Sequence, residues 1–231
     1  MAETPEAKTS QRPTHTVEDY LMFMYVMERD DGEVVSARLA ELLDVTPATV
    51  AMTVKRMERD QWLINRGRGD ISLTAAGREA ARSVLRRHML VECLLVDLLG
   101  LPMHETHQEA HAIEHAISLT LEERLSEVLG NPHLCPHGNP FPGYEHLAAG
   151  WKRLTELDQG QRVIIRRIHT FAEQKPAVIE FFAEKEISPG VIAEVTDISD
   201  INQTVELLIH ESRVTLGFQV AQYIYAETGQ P

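Results

Sequence analysis

The sequence of 231 residues predicts a mainly α-helical protein with a small β domain at its C-terminal end. Three observations support this fold class. Apolar residues recur at helical spacing through the first half of the chain, short β-type runs follow residue 151, and a Pro- and Gly-rich segment, GNPHLCPHGNPFPG, separates the two regions. With 43% hydrophobic residues the chain can bury real cores, which excludes a wholly disordered protein.

The N-terminal part has the pattern of a helix-turn-helix. Apolar residues recur at helical spacing from Val17 to Glu28 and predict a first helix. The segment VSARLAELLDVTPATVAMTVKRMERD then predicts two helices joined by a short turn. We expect Ser36 to cap the first of these two helices, and Thr46, followed by Pro47, to cap the second.

A basic hairpin completes this domain, which we assign to residues 1–75. The segment WLINRGRGDISLTAAG predicts two short strands around a tight glycine-rich turn. A helix-turn-helix followed by such a hairpin is a winged helix-turn-helix, which places one helix in a major groove of DNA and the wing near phosphates. We expect residues near base edges to be Thr46, Ala48, Thr49, Met52 and Thr53. We expect phosphate contacts from Arg38, Lys55, Arg56, Arg66 and Arg68, although each of these could instead be a solvated surface position.

The net charge of −13 argues at first against a nucleic-acid partner, but the charge is unevenly distributed. Residues 1–87 hold 13 Lys and Arg against 14 Asp and Glu, whereas the remaining 144 residues hold 9 against 21. Local basic patches matter more for phosphate contact than the total charge. A DNA-binding module can therefore occupy the first third of the chain.

Three further helices are predicted over residues 74–99, 104–114 and 119–129. Their apolar faces are broad, so we expect them to form the core of a dimer. We assign them to a helical dimerisation domain over residues 76–145, and the β-type runs to an SH3-like β-barrel over residues 151–231.

Histidine clusters on two of these helices point to metal binding. The stretch HQEAHAIEH puts three imidazoles and a carboxylate on one helix face, and His88 and Glu92 repeat this spacing on the preceding helix. Cys135 and His137 form a further pair in the Pro- and Gly-rich segment. A lone His-x-x-x-His pair is more often a solvated surface feature, but three clusters in one chain favour a transition-metal site. The His-Glu-x-x-His pattern of metalloproteases is not present, and we do not expect an enzyme.

Together these segments resemble the diphtheria toxin repressor family of metal-dependent regulators. TVEDYLMFMYVM is similar to the family's first helix, RLAELLDVTPATVAMTVKRMERD to its helix-turn-helix, and LTAAGREAA to the sequence after its wing. RRHMLVECLLVDLLGL and HQEAHAIEH are similar to its metal-binding and dimerisation helices, and GNPFPG to the loop after them. The β segment is similar to the family's SH3-like, FeoA-like domain, so the resemblance covers almost the whole chain.

The resemblance implies a metal-dependent repressor of metal-uptake genes that binds a palindromic operator in double-stranded DNA as a homodimer. The family's primary metal site matches four residues of this chain by position: Asp19, His111, Glu114 and His115. An ancillary site matches His88, Glu92 and His107. In manganese-type members a Cys-x-His loop also contributes a site, which here maps to Cys135 and His137 with Glu92 and an acid of the β domain, for which Glu173 is the nearest candidate.

The resemblance also bears on which metal is bound. Iron-type members have methionine and cysteine where this chain has Asp19 and His111, and the loss of soft sulfur favours Mn(II). Manganese-type members generally carry glutamate at the place of His111, so Fe(II) and Zn(II) stay open. Met22 replaces a carboxylate that helps some members to build a two-manganese site, and we do not expect a centre of that kind.

Rival functions make different predictions. A winged-helix regulator of a small organic molecule would bind its operator without metal, and a metalloenzyme would need an open coordination position beside a poised base. We expect no small organic substrate and no membrane partner. The polar N-terminus lacks the hydrophobic region of a signal peptide, and no apolar run could span a bilayer, so we expect a cytoplasmic protein.

Overall fold

The structure is a computed structural model that describes residues 12–67 and 69–228. The chain forms two compact units, Met1–Val84 and Leu85–Pro231, and the boundary between them falls inside a helix. Helices dominate the first 130 residues and a β-sheet dominates the rest, so the predicted fold class is confirmed. The finer division into domains 1–75, 76–145 and 151–231 stays a prediction.

The first unit contains the predicted helix-turn-helix and hairpin. Its elements are α1 (His15–Asp30), α2 (Ser36–Leu42), α3 (Pro47–Arg59), β1 (Leu63–Asn65) and β2 (Ile71–Leu73). The strands β1 and β2 pair antiparallel, with Leu63 opposite Leu73. This pairing forms the predicted wing.

Capping explains where the second helix of the motif begins. The Thr46 hydroxyl accepts a hydrogen bond of 3.2 Å from the backbone N–H of Thr49, and Pro47 occupies the first turn of α3, as predicted. The expected Ser36 cap is wrong, because Ser36 is already the first residue of α2. The cap position is Val35, whose side chain has no oxygen that could accept a hydrogen bond.

The helices of the second unit follow α4 (Ala75–Cys93), which the sequence predicts as one helix to residue 99. From Leu94 to Leu98 the backbone instead forms a π-helical segment, a rare wider turn that is frequent at functional sites. After it come α5 (Thr106–Glu114) and α6 (Leu119–Val128). Among the described residues, no helix has the length and apolar character needed to cross a membrane.

The β domain is an antiparallel sheet with a buried apolar core. Its strands are β3 (Lys152–Arg153), β4 (Arg162–Ile168), β5 (Ile192–Ser199), β6 (Thr204–Ile209), β7 (Ser212–Gly217) and β8 (Ile224–Thr228), in the spatial order β3-β8-β4-β5-β6-β7. Its helices are α7 (Thr170–Glu173), α8 (Pro176–Glu184) and α9 (Phe218–Ala221). Residues of its strands and helices, including Ile165, Phe182, Val195 and Leu207, form the core.

The Pro- and Gly-rich loop is attached to β4 by backbone contacts. The N–H of Ile168 donates a hydrogen bond of 2.8 Å to the carbonyl oxygen of His137. At Gly138 φ is +80°, and a Cβ atom there would lie 1.9 Å from the carbonyl oxygen of Arg166. Glycine adopts this conformation without strain, and only glycine permits this close approach. The attachment holds the Cys-Pro-His segment beside α7, which directly follows β4.

Candidate metal centre and nucleic-acid interface

Two histidines flank the carboxylate of Glu114 at the end of α5. Its Oε1 atom lies 3.1 Å from Nδ1 of His111 and 3.4 Å from Nε2 of His115. Glu114 is fully buried, and the His115 side chain is only 10% exposed. The helical spacing therefore groups three of the four residues predicted for the primary site, and we call His111, Glu114 and His115 the α5 trio. The fourth, Asp19, lies on α1 in the first unit, and its part in this site stays a prediction.

A second group of donors is buried within the second unit, on α4, α5 and α7. Nε2 of His88 lies 3.4 Å from Oε1 of Glu92 and 3.8 Å from Oε2 of Glu173, and Nδ1 of His107 lies 3.4 Å from the same Glu173 oxygen. One ligand atom from each of these four residues lies within 4.8 Å of the others. The structure thus brings Glu173 of the β domain to the three residues predicted for the ancillary site.

The Cys-x-His pair adjoins this second group. Cys135 is a buried free cysteine, and ligand atoms of Glu92, Cys135 and His137 lie within 4.8 Å of one another. Nδ1 of His137 is 3.2 Å from Oε1 of Glu92 and 3.6 Å from Oε1 of Glu173. We call the six residues of these two overlapping groups the buried pocket: His88, Glu92, His107, Cys135, His137 and Glu173.

Neighbouring side chains hold the pocket in place, and sequence reasoning missed them. The Asn139 amide donates to Oε1 of Glu173 at 3.0 Å and to the carbonyl oxygen of Ile168 at 2.8 Å. The Asn139 carbonyl oxygen accepts a hydrogen bond of 2.6 Å from the guanidinium of the buried Arg167. Such outer contacts orient metal ligands. Asn139 stands in the same loop as the Cys-x-His pair, which is the only local signal that could have singled it out.

Burial and opposite charges together set the protonation of the pocket. Burial lowers the pKa of His137, but the Glu173 and Glu92 carboxylates outweigh this and raise it to about 9. Burial, followed by the same two carboxylates, raises the pKa of the Cys135 thiol well above its usual value. The same carboxylates and Glu114 also raise the pKa of His88, against the effect of burial. Without a metal, the two imidazoliums of His88 and His137 therefore balance the two carboxylates of Glu92 and Glu173, and the Cys135 thiol is neutral. A cation bound by these groups has to displace their protons.

Burial and neighbouring groups also set the pKa of Glu114. Burial raises its pKa, but the nearby His88 imidazole and the hydrogen bond with His111 outweigh this and lower it to about 2. Its second oxygen, Oε2, lies 2.5 Å from Nδ1 of His88. Glu114 is therefore a carboxylate that contacts both the α5 histidines and an imidazole of the buried pocket.

The pocket fits a divalent transition-metal ion. Several of its buried ligand atoms have no hydrogen-bond partner, and they are His88 Nε2, Glu92 Oε1, His107 Nδ1, His137 Nδ1 and Glu173 Oε2. Unpaired buried polar atoms are costly and rare, and here they lie next to one another. Imidazole nitrogen, carboxylate oxygen and thiolate sulfur are ligands that Mn(II), Fe(II) and Zn(II) accept.

The residues predicted to contact bases lie on α3 and differ in exposure. Thr46, Ala48 and Met52 are exposed, Met52 by 67%, and Thr49 is half-buried. Thr53 is only 8% exposed, because its position on α3 puts it on the inner face of the helix with Val50, Val54 and Met57. We therefore no longer expect Thr53 to contact bases.

The basic residues differ in a similar way. Lys55 and Arg56 are exposed on α3. Arg38 forms an ion pair of 2.6 Å with Asp31, and Arg66 forms one of 3.2 Å with Asp70. Arg68 lies outside the described residues. Of the predicted phosphate contacts that the structure describes, Lys55, Arg56 and Arg66 are thus exposed, whereas Arg38 is half-buried.

Comparison with known families matches nearly the whole chain. Residues 13–70 match the family described as the iron-dependent repressor N-terminal DNA-binding domain, and residues 74–143 match the iron-dependent repressor metal-binding and dimerisation domain. Residues 152–228 match the FeoA domain. A curated relative, the iron-dependent repressor IdeR of Mycobacterium leprae, is 35% identical over 223 residues, which is 92% of this chain and 96% of the relative. The chain belongs to the diphtheria toxin repressor family.

Other members of this family support the same assignment. The diphtheria toxin repressor of Corynebacterium diphtheriae is 33% identical over 205 residues, which is 87% of this chain and 88% of the relative. A solved structure of a manganese-dependent transcriptional repressor in complex with manganese has a TM-score of 0.80 and 28% identity, and covers 92% of this chain and 100% of its own. A solved structure of T. acidophilum IdeR has a TM-score of 0.75 and 25% identity, and covers 92% of this chain and 97% of its own.

As a member of the family, the chain is a metal-dependent transcriptional repressor with DNA-binding and dimerisation domains. The helix-turn-helix and wing lie in the range matched to the DNA-binding domain. The α5 trio and most of the buried pocket lie in the range matched to the metal-binding domain, while Glu173 lies in the FeoA range. The IdeR relative is named for iron, one solved structure is named for manganese, and others are described with bound zinc or cadmium.

Proposed function

We propose that this repressor silences metal-uptake genes by binding a palindromic operator as a metal-loaded homodimer, with Mn(II) as the effector. The observation that carries the choice of metal is the donor set around Glu114, where His111 and His115 offer nitrogen and the carboxylate offers oxygen. This set contains no sulfur, and Mn(II) accepts such harder ligands. Fe(II) is the second candidate, because the curated relatives at 33–36% identity are named for iron or for the diphtheria toxin repressor.

The resemblance to the family supports Asp19 as the fourth ligand of this set. Asp19 belongs to the first unit and the other three residues to the second. A divalent cation supplies positive charge that holds these carboxylates and imidazoles together. The chain positions the ligands: Glu114 is fixed by its bond to His88, while His111 on α5 and His115 directly after it both lie within 3.4 Å of Oε1 of Glu114.

The buried pocket supports a second role for metal in this protein. Glu173 comes from the β domain, Cys135 and His137 from the loop attached to β4, and the other three residues from α4 and α5. Ligands drawn from separate segments tie those segments together when they share a cation. We infer that metal in this pocket fixes the FeoA-like domain to the dimerisation helices.

The operator is proposed from the symmetry of the dimer. Two copies of α3 related by a twofold axis read two half-sites in inverted orientation, spaced by about one DNA turn or a multiple of it. Thr49 and Met52 discriminate bases weakly, so we expect DNA shape to contribute to specificity. Since DNA is the target, we place the protein in the cytoplasm.

Selection from a random-sequence DNA library tests the function. Full-length protein freed of metal by a chelator is loaded in turn with Mn(II), with Fe(II) under anaerobic conditions, or with Zn(II), and the bound DNA is sequenced. We expect an inverted repeat to be enriched by the metal-loaded protein and not by the chelated one. Equal enrichment by chelated protein would instead support a regulator that does not depend on metal.

A second step separates the candidate metals. The binding constant for the selected sequence is measured at buffered free concentrations of each metal. We expect Mn(II) to activate binding, and activation by Fe(II) alone would overturn the choice of manganese while leaving the repressor proposal in place.

A further inference from the structure

We propose that the buried pocket is a dinuclear site, in which Glu92 and Glu173 bridge two divalent ions. One ion takes His88 and His107, and the other takes Cys135 and His137. The inference rests on the proposed metal dependence of this repressor and concerns how many ions the pocket holds.

Glu92 stands between the two pairs of ligands. Its Oε1 atom lies 3.4 Å from Nε2 of His88 on one side and 3.2 Å from Nδ1 of His137 on the other. This oxygen is buried and has no hydrogen-bond partner. Two ligands of one ion, each at about 2.0–2.2 Å from it, are separated by about 3.0–3.6 Å. Both spacings of Glu92 are therefore those of neighbouring ligands on a shared cation.

Glu173 divides its two oxygens between the same pairs. Oε2 lies 3.4 Å from Nδ1 of His107 and 3.8 Å from Nε2 of His88, whereas Oε1 lies 3.6 Å from Nδ1 of His137. The Asn139 amide holds Oε1 in this orientation. A carboxylate that presents one oxygen to each set of imidazoles is placed as a bridge.

One ion would leave half of the pocket unsatisfied. If it took His88, Glu92, His107 and Glu173, both ring nitrogens of the buried His137 would stay without a partner. If it took the Cys135 set instead, Nε2 of His88 and Nδ1 of His107 would stay without one. Each unpaired buried atom costs free energy, so two ions satisfy what one ion cannot.

Metal counting on the full-length protein tests the inference. The His111→Ala/His115→Ala protein serves as background, because it lacks the α5 histidines and should load Mn(II) in the buried pocket alone. The chelated protein is loaded with Mn(II), desalted and analysed for bound manganese per chain. We expect two ions in the background protein, one after Cys135→Ala, one after His107→Ala, and fewer than one after Glu92→Gln.

A matched control and a spectroscopic readout complete the test. Cys93→Ala removes a buried cysteine next to Glu92 that is not in the pocket, and it should keep both ions. Electron paramagnetic resonance should show exchange-coupled Mn(II) in the background protein and uncoupled Mn(II) after Cys135→Ala. One ion per chain in the background protein, or two ions without coupling, would overturn the dinuclear site. No DNA is present in these measurements, so their failure is distinct from failure of the repressor proposal.

Discussion

Glu114 is the residue on which the proposed metal chemistry depends most. Its Oε1 faces His111 and His115, while its Oε2 forms a bond of 2.5 Å with His88, an imidazole of the buried pocket. A carboxylate whose two oxygens contact histidines of two sites can orient those histidines as well as bind a metal itself. Its negative charge is held by these neighbours, which is why its pKa falls to about 2 even though it is buried.

The substitution Glu114→Gln tests this role. Glutamine keeps the volume but removes the charge, so the bound cation loses an anionic ligand and His88 loses its charged partner. We expect the affinity for Mn(II) to fall by about 100-fold or more, since loss of an outer partner alone costs about 10- to 100-fold. Competition with a chromophoric chelator measures the affinity on the full-length protein.

Glu122→Gln is the matched control for this measurement. Glu122 is also buried on a helix of the same unit, at 8% exposure, but its carboxylate pairs with Arg86 at 2.9 Å and not with a histidine. The control should bind Mn(II) as the unaltered protein does. If Glu114→Gln also kept full affinity, the assignment of the α5 trio as a metal site would be wrong.

At the level of the elements, local patterns predicted most of the helices. Threonine and proline at the start of α3 mark its first turn in both sequence and structure. The change to a π-helical segment at Leu94 could not be predicted, because its apolar pattern LLVDLL suits an ordinary helix. The individual strands β3 and β8 could not be predicted, since β3 has only two residues and β8 does not stand out from its flanking sequence.

Some residues of the candidate site could likewise be predicted from local sequence patterns, and others could not. The α5 trio follows from helical spacing, so the sequence alone could predict it. Glu173 is 66 residues from His107, its partner on α5, and only the resemblance pointed to it. Asn139 and Arg167 could not be predicted, because their contacts depend on how the loop packs against β4.

Because the loop packs against β4 at Gly138, substitution of this residue tests whether that contact positions the loop. Gly138→Ala places a Cβ atom 1.9 Å from a backbone oxygen of β4, at a φ of +80° that disfavours any residue with a side chain. We expect the loop to move away from β4, lowering the midpoint of thermal unfolding and reducing manganese bound by the buried pocket.

The variant Gly150→Ala separates the effect of backbone strain from the effect of the steric clash with β4. Gly150 also has positive φ, +92°, but a Cβ atom there meets nothing within 4 Å. Its replacement should cost only about 1–2 kcal/mol of backbone strain and leave metal content unchanged. Equal losses for the two variants would show that contact with β4 does not position the loop.

At the level of the whole molecule, dimerisation should use apolar surface of the helical region. Leu121 and Val128 are 47% and 67% exposed, and their spacing of seven residues puts them on one face of α6. Both lie in the range matched to the metal-binding and dimerisation domain. Exposed apolar side chains of this kind commonly mark interaction surfaces.

The double variant Leu121→Glu/Val128→Glu tests this surface. In a twofold dimer each substitution acts twice, and losing burial of a large aliphatic side chain costs about 1.5–3 kcal/mol. We therefore expect the dimer dissociation constant, measured by analytical ultracentrifugation, to rise by at least about 100-fold. Ile201→Glu, at a position that is 95% exposed in the β domain, should leave it unchanged. A double variant that dimerises normally would exclude this face of α6 from the interface.

The coupling between metal and DNA is a property of the complete dimer, and it has to be reciprocal. If Mn(II) tightens operator binding, the operator must tighten Mn(II) binding by the same total free energy, whichever residues transmit the effect. Couplings of this kind are typically about 5- to 150-fold. We expect two ratios to be equal. The first is the change in the dissociation constant for the operator caused by Mn(II), and the second is the total change in the dissociation constants for Mn(II) caused by the operator. A regulator that senses an organic molecule predicts no coupling in either direction. Tighter DNA binding without tighter Mn(II) binding would show that manganese acts by another route, such as aggregation, and not by binding to the repressor.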